Sequence, residues 1–298
     1  MKYTLIDYQS DAVSALLERL TEARVRFKAD GEETSVSLSA TTGAGKTVMA
    51  AAVIEALFYG NDTFKFDADP GAVVVWFSDD PNLNQQTRTR LLKASEQLRS
   101  SDLVTIAAPF SKPKLEAGKV YFLNTQKLTT TSLLTRGHVE SDEEAVLPTM
   151  TAAASPDLQG WTIWETISNT IDDENLMLYL IVDEAQRGFS SKKASKDKTT
   201  IVRKLVDGHA GYPPVPAVWG ISATIARFEN AMEEAHVAQS RVALNAVAVP
   251  PERVQESGLV KDAVVVEIPA EAGNFDTVLV RRAAEKLLDF DGRWEAYA

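Results

Sequence analysis

Ala40-Thr41-Thr42-Gly43-Ala44-Gly45-Lys46-Thr47 constrains this chain more than any other stretch. It joins the apolar run Val36-Ser37-Leu38-Ser39 to Val48-Met49-Ala50-Ala51-Ala52-Val53-Ile54, so a buried strand must turn through glycines straight into a helix. A turn of that kind aims several backbone N–H groups at one point, and Lys46 adds positive charge there. A polyphosphate suits that point, with Thr42, Gly43, Ala44, Gly45, Lys46 and Thr47 as the expected contacts. Thr47, the first hydroxyl inside the helix, is placed to hold a magnesium ion that bridges the phosphates. The usual pattern opens with glycine, and here Ala40 stands in that place.

Around this loop the chain alternates helical and strand patterns. Asp7 to Arg26 carries Ala12, Val13, Leu16, Leu17, Leu20 and Ala23 at the three-and-four spacing of a helix with one buried stripe. Thr47 to Tyr59 reads as an apolar helix that Gly60 closes as a left-handed cap, and Asn61 to Gly71 as a loop. Ala72-Val73-Val74-Val75-Trp76-Phe77 has no polar alternation, the mark of a strand covered on both faces of a parallel sheet. Further strands are expected over Leu103 to Ala107, Lys119 to Leu123, Leu178 to Val182, Ala217 to Ser222 and Ala263 to Ile268. This alternation implies an α/β fold, a doubly wound and mainly parallel sheet with helices on both faces. Ligands of such sheets collect at the carboxyl ends of the strands.

The pattern weakens between Thr129 and Asn175, which reads as an exposed insertion followed by a helix near Trp161 to Ile171. Trp161 and Trp164 stand three apart, the spacing of a packing pair. Asn274 to Ala298 again has helical spacing, and a truncated chain is expected there, since the stripe has no obvious remainder of a domain to pack on.

Composition sets limits on function. Of 298 residues, 45% are hydrophobic and 24% charged, and no apolar run reaches the ~18 residues of a membrane span. The start Met1 to Asp7 lacks a secretory signal, and a cytoplasmic location is expected. With no cysteine and three scattered histidines, disulfides and thiolate metal sites are excluded and a zinc site is not expected. A net charge of −11 argues against a protein that coats nucleic acid, since such binding rests on phosphate neutralisation. The basic stretch from Arg187 to Lys204 reads as a solvated loop.

Two more signals lie downstream. Leu178 to Val182 ends in Asp183-Glu184-Ala185-Gln186, two acids at the carboxyl end of a buried strand. There Asp183 can reach the magnesium through water, while Glu184 accepts a proton from the attacking water. Val218-Trp219-Gly220-Ile221 ends in Ser222-Ala223-Thr224, short hydroxyls able to bond the acids and sense the γ-phosphate.

With these three signals in order, the chain resembles the first RecA-like domain of a superfamily 2 DEAD/DEAH-box helicase. It is most similar to the ATPase subunit of type III restriction enzymes, carried by Tyr8-Gln9, Ala40 to Thr47, Asp183 to Gln186 and Ser222 to Thr224. Glu256-Ser257-Gly258-Leu259-Val260-Lys261-Asp262 also resembles a segment of the restriction family. In that superfamily an opening alanine in the phosphate loop is usual. The resemblance implies ATP and Mg2+ as cofactors, Gln9 reading the adenine edge, and Gln186, Ser222 and Thr224 coupling phosphate state to a nucleic-acid site. It also implies strand contacts from Ser78, Gln85 and Arg88, and from Asn124, Thr125 and Gln126. Gln186 stands where the family often has histidine and cannot change charge near neutral pH.

The expectation is an ATP-hydrolysing helicase or translocase motor domain of a restriction or phage-defence system. It would act on DNA with modification or nuclease partner subunits and no membrane. Residues 1–270 would form the RecA-like domain, with an insertion at about 130–175, and 271–298 a helix leading towards a second RecA-like domain that the sequence does not contain. For that reason these residues alone are expected to hydrolyse ATP poorly. No acid-then-acid-x-lysine nuclease pattern stands out. The rival readings are a nucleotide-dependent switch or scaffold that never acts on nucleic acid, and a small-molecule kinase. The kinase leaves the Asp183 and Ser222 motifs unexplained.

Overall fold

Seven-residue and six-residue apolar runs become the middle of one parallel sheet. The computed structural model describes residues 1–78, 81–129, 132–135, 160–183, 196–209, 211–223, 226, 228–230, 232, 241–259 and 278–288. The strands are β1 (Thr34–Ser39), β2 (Ala72–Ser78), β3 (Leu103–Thr105), β4 (Lys119–Asn124), β5 (Met177–Asp183), β6 (Ala217–Ser222), β7 (Val242–Ala243) and β8 (Val247–Ala248). They lie in the order β3-β4-β2-β5-β6-β1-β7, with β8 also on β1, and every pairing is parallel. The expected doubly wound α/β sheet is therefore what forms.

Parallel neighbours need crossover connections, and helices supply most of them, although β3 reaches its neighbour β4 through residues 106–118 without one. The helices include α1 (Asp7–Asp30), α2 (Lys46–Tyr59), α3 (Pro81–Ala94) and α4 (Ile163–Ile171), with a further helix over Lys196–Asp207. Because side chains alternate along a strand, β2 feeds two separate cores. Val74 and Trp76 join α1 and α2 on one face, whereas Val73, Val75 and Phe77 join α4 and the helix over Lys196–Asp207 on the other. Among the described residues no helix is long and apolar enough to cross a membrane. Chain contacts divide the protein into two units, Met1–Val260 and Lys261–Ala298. In the second unit a helix runs over residues 278–288.

Several local expectations shift, each for a physical reason. The first helix continues past Arg26 to Asp30, where Gly31 at φ 71°, ψ 15° supplies a left-handed cap. Gly60 has φ 75° but ψ 173°, so it leads the chain out extended, into an Asn61–Phe66 bridge, instead of closing a left-handed cap. The strand expected from Leu103 to Ala107 stops at Thr105, since it is an edge paired only with β4. The expected helix near Trp161 begins at Ile163, because Thr162 accepts from the Glu165 N–H and Glu165 answers at the Thr162 N–H. Trp161 and Trp164 therefore do not pair. Trp164 packs at 4.6 Å on His209 and 6.2 Å from Tyr212, while Trp161 is 40% exposed. The strand expected over Ala263 to Ile268 lies outside the described residues.

A buried acid anchors α3 to α2. Glu55 is 2% exposed, and it accepts from the Ser95 hydroxyl, the Glu96 N–H at 2.9 Å and the Met1 ammonium at 2.6 Å. Burial favours the neutral acid, but the ammonium and the Ser95 hydroxyl outweigh it and hold the carboxyl below its usual range. The end of α3 is thereby set against α2.

Gly220 in the middle of β6 leaves room for a ring. A Cβ there would lie 2.8 Å from atoms of Phe228, itself 1% exposed. Gly220→Ala is expected to destabilise the fold by about 1–3 kcal/mol in urea unfolding, as overpacking does. Combining it with Phe228→Leu should cost less than the two changes summed, because they share one contact.

Candidate functional site

The glycine-rich loop leaves β1 at the carboxyl edge of the sheet. Its first N–H, from Ala40, bonds the Ser222 carbonyl at the end of β6 at 3.2 Å. Gly43 and Gly45 take φ of 91° and 83°, and α2 starts directly at Lys46. A side chain is barred at Gly45 for two reasons: the left-handed backbone, and a Cβ position 2.4 Å from Gln9 Nε2. Lys46 Nζ donates to the loop's own carbonyls at Ala40 (2.8 Å) and Thr41 (3.2 Å).

The first turn of α1 holds this loop from behind. Tyr8 OH and Gln9 Nε2 both donate to the Ala44 carbonyl at 3.0 Å, and Gln9 Oε1 accepts from the Ile6 N–H at 3.1 Å. Gln9 is 4% exposed. Its geometry is that of a clamp on the loop, with one N–H and one lone pair of the amide remaining.

Asp183 ends β5 in register with Ile221 of β6, two strands from the loop. A cleft of about 350 Å³ brings Asp183 together with Thr42, Gly43, Gly45, Lys46 and Thr47. A hydroxyl, a carboxylate and open space beside phosphate-directed amides suit Mg2+, a hard cation that takes oxygen ligands and keeps several waters. Thr47 and Asp183 are the side chains that would hold it. Ser222 is wholly buried at the end of β6, in register with Ser39. Glu184, Gln186 and Thr224 lie outside the described residues.

The expected strand contacts are placed differently from one another. Ser78 is buried and donates to Asn84 Oδ1 at 2.7 Å, and Asn84 Nδ2 donates to the Leu123 carbonyl at 3.0 Å, tying β2 to β4 through α3. Asn124 is buried and caps the turn that follows β4 by accepting from the Lys127 N–H. Thr125 is 7% exposed. Arg88 donates from Nε to the Leu103 carbonyl at 3.0 Å and from Nη2 to Ser100 Oγ at 2.7 Å, which closes the turn into β3. Gln85 and Gln126 are exposed.

Sequence reasoning missed Leu83, Thr87 and Arg90 on the opposite wall of the cleft. Trp76 lines it from β2, and Leu83, Gln86, Thr87 and Arg90 from α3. Their positions 83, 86, 87 and 90 form one helical stripe, a signal that was available once the helix was placed.

An all-parallel sheet, a phosphate loop leading from one strand into a helix and an acid at the end of another strand define a RecA-like phosphate-loop NTPase domain. The chain matches the family described as type III restriction enzyme, res subunit, over residues 2–227, and it belongs to that family. Its domain type is that of the superfamily 2 helicases. No curated protein matches. Among solved structures it is similar to an S. cerevisiae Dbp5 variant bound to RNA and ADP BeF3, at 11% identity and a TM-score of 0.38, covering 81% of this chain and 50% of that one. A second structure of such a variant, with Nup159, Gle1, IP6 and ADP, gives 12% identity, a TM-score of 0.38 and coverage of 83% and 52%. The chain thus spans about half the length of these solved chains.

Proposed function

We propose that this protein is the ATP-binding half of a motor that moves along DNA in a restriction or phage-defence system. The observation that carries the reading is a cleft at the strands' carboxyl ends that gathers Lys46, Thr47 and Asp183. Lys46 leaves the carbonyls of Ala40 and Thr41 for the phosphates, and the loop amides add donors in fixed directions. Thr47 and Asp183 would hold Mg2+, which would neutralise charge on the phosphates. Glu184 takes a proton from the attacking water, and the remaining amide groups of Gln9 meet the adenine edge. Ser222, Thr224 and Gln186 relay the phosphate state towards the strand site, where Gln85 and Gln126 offer exposed amides. Hydrolysis then changes how a second domain closes on this one, and alternate closure steps the grip along a strand. Modification or nuclease subunits are its expected partners.

The nucleotide-dependent switch is the second reading. It is favoured by the net charge of −11 and by the engagement of Ser78, Asn124 and Arg88 within the fold. ATPase activity of the full-length protein, measured with duplex DNA, single-stranded DNA and RNA, separates the two. The motor predicts stimulation by DNA of about tenfold or more. No stimulation by any nucleic acid would leave the switch.

A further inference from the structure

Two arginines on α3, two residues apart, have opposite surroundings. Arg88 is bonded to Leu103 and Ser100, as a structural arginine should be. Arg90 lines the cleft beside the phosphate loop, is exposed, and makes no hydrogen bond or ion pair with any described residue. Gln86 lies one turn before it on the same wall.

A second observation concerns the same wall. Trp76 lines the cleft and is 1% exposed, yet its indole N–H is buried without a partner. Buried donors are nearly always satisfied, and this one leaves the wall beside the cleft with a donor that an ordered water would complete. A guanidinium with no bond to any described residue and a buried indole N–H thus belong to the wall of the cleft that also holds Lys46 and Asp183. Positive charge beside the loop amides suits an anion.

The direction of the nucleotide follows from the other side. Tyr8 and Gln9 grip the loop from α1, and neither lines this cleft; with Gln9 meeting the base, as in the proposed function, the base end belongs to the α1 side. The phosphates then run across the loop towards α3 and Asp183. We propose that Arg90 binds the terminal phosphate of a nucleoside triphosphate, a cation supplied by this domain itself and not by a partner domain. The planar guanidinium fork matches two phosphate oxygens, which lysine cannot do, and Gln86 orients it or adds a donor. This inference rests on the nucleotide-binding reading of the cleft.

The test uses residues 1–298 with Mg2+ and ribose-labelled ATP and ADP, followed by fluorescence anisotropy. Arg90→Ala should weaken ATP about tenfold and ADP less than twofold, and Arg90→Lys should recover part of the loss. Lys93→Ala removes a positive charge from the same helix outside the cleft lining and should leave the ATP-to-ADP ratio unchanged. Thermal melts establish that each variant is folded, which the exposure of both side chains favours. Wild-type affinity for ATP in Arg90→Ala, or equal weakening of ATP and ADP, overturns the role of Arg90 alone. If the wild type binds neither nucleotide, the nucleotide reading falls and this inference with it.

Discussion

Lys46→Ala is expected to abolish measurable ATP binding and to lower turnover of the full-length protein by at least about a hundredfold. Removing one preorganised donor from developing charge costs roughly that much where it has been measured, and Lys46 is also the one cation the loop itself provides. Its side chain bonds the loop carbonyls of Ala40 and Thr41, but the loop has other supports: the Ala44 carbonyl is held by Tyr8 and Gln9, and the turn by the left-handed conformations of Gly43 and Gly45. The variant should therefore melt near the wild-type temperature. Glu184→Gln is the complementary change, expected to keep ATP binding while abolishing turnover, because an amide cannot accept the proton. Equilibrium binding and steady-state hydrolysis on both variants check the pair. Unchanged binding in Lys46→Ala would remove the loop from its role, and unchanged turnover in Glu184→Gln would remove the proposed base.

The largest effect on stability is expected far from this cleft, at Arg241. This side chain is 1% exposed and donates to the carbonyls of Thr34, Val206 and Val215, each at 2.7 Å. Those carbonyls belong to the start of β1, the end of the helix over Lys196–Asp207 and the approach to β6. One guanidinium thus joins three segments at the amino edge of the sheet. Burial pulls its pKa down to about 10, against the opposing pull of Glu33 and Asp207, so it remains charged at neutral pH. Arg241→Met fills similar volume but strands three buried acceptors. The expected loss is about 3–5 kcal/mol, the range seen when one side of a buried charged network is removed. Domains of this kind hold only ~5–15 kcal/mol in total, so the urea midpoint should fall steeply. Arg241→Lys, with a point charge in place of the fork, should fall between the two. A loss below about 1 kcal/mol in Arg241→Met would show the three bonds to be incidental.

Much of the fold was legible because its signals are local. Ala72 to Phe77 and Leu178 to Val182 are too apolar to be anything but covered on both faces, and both became central strands. The stripe from Ala12 to Ala23 marked α1, and its buried side is the one the spacing indicated. Elements that escaped were those whose signal is weak or distant. β7 and β8 have two residues each, too short for any period to show. The partners of Trp164 lie at His209 and Tyr212, far along the chain, so its spacing to Trp161 was misleading. Arg241 sits in sequence beside a short edge strand, and nothing near it announces a buried cation.

At the site, the sequence by itself determined the form of the glycine-rich loop and its junction with α2. Gly43, Gly45, Lys46 and Thr47 are set by backbone conformation and immediate neighbours, which a short stretch specifies. What only the tertiary structure decided is which polar side chains serve the fold and which face a ligand. Arg88 and Arg90 are the same residue type on the same helix, and a linear reading favoured Arg88. A helix turns about 100° per residue, so two positions apart means opposite sides. Once α3 is laid against β2 and anchored at Glu55, Arg88 meets the turn into β3, and Arg90 meets the cleft.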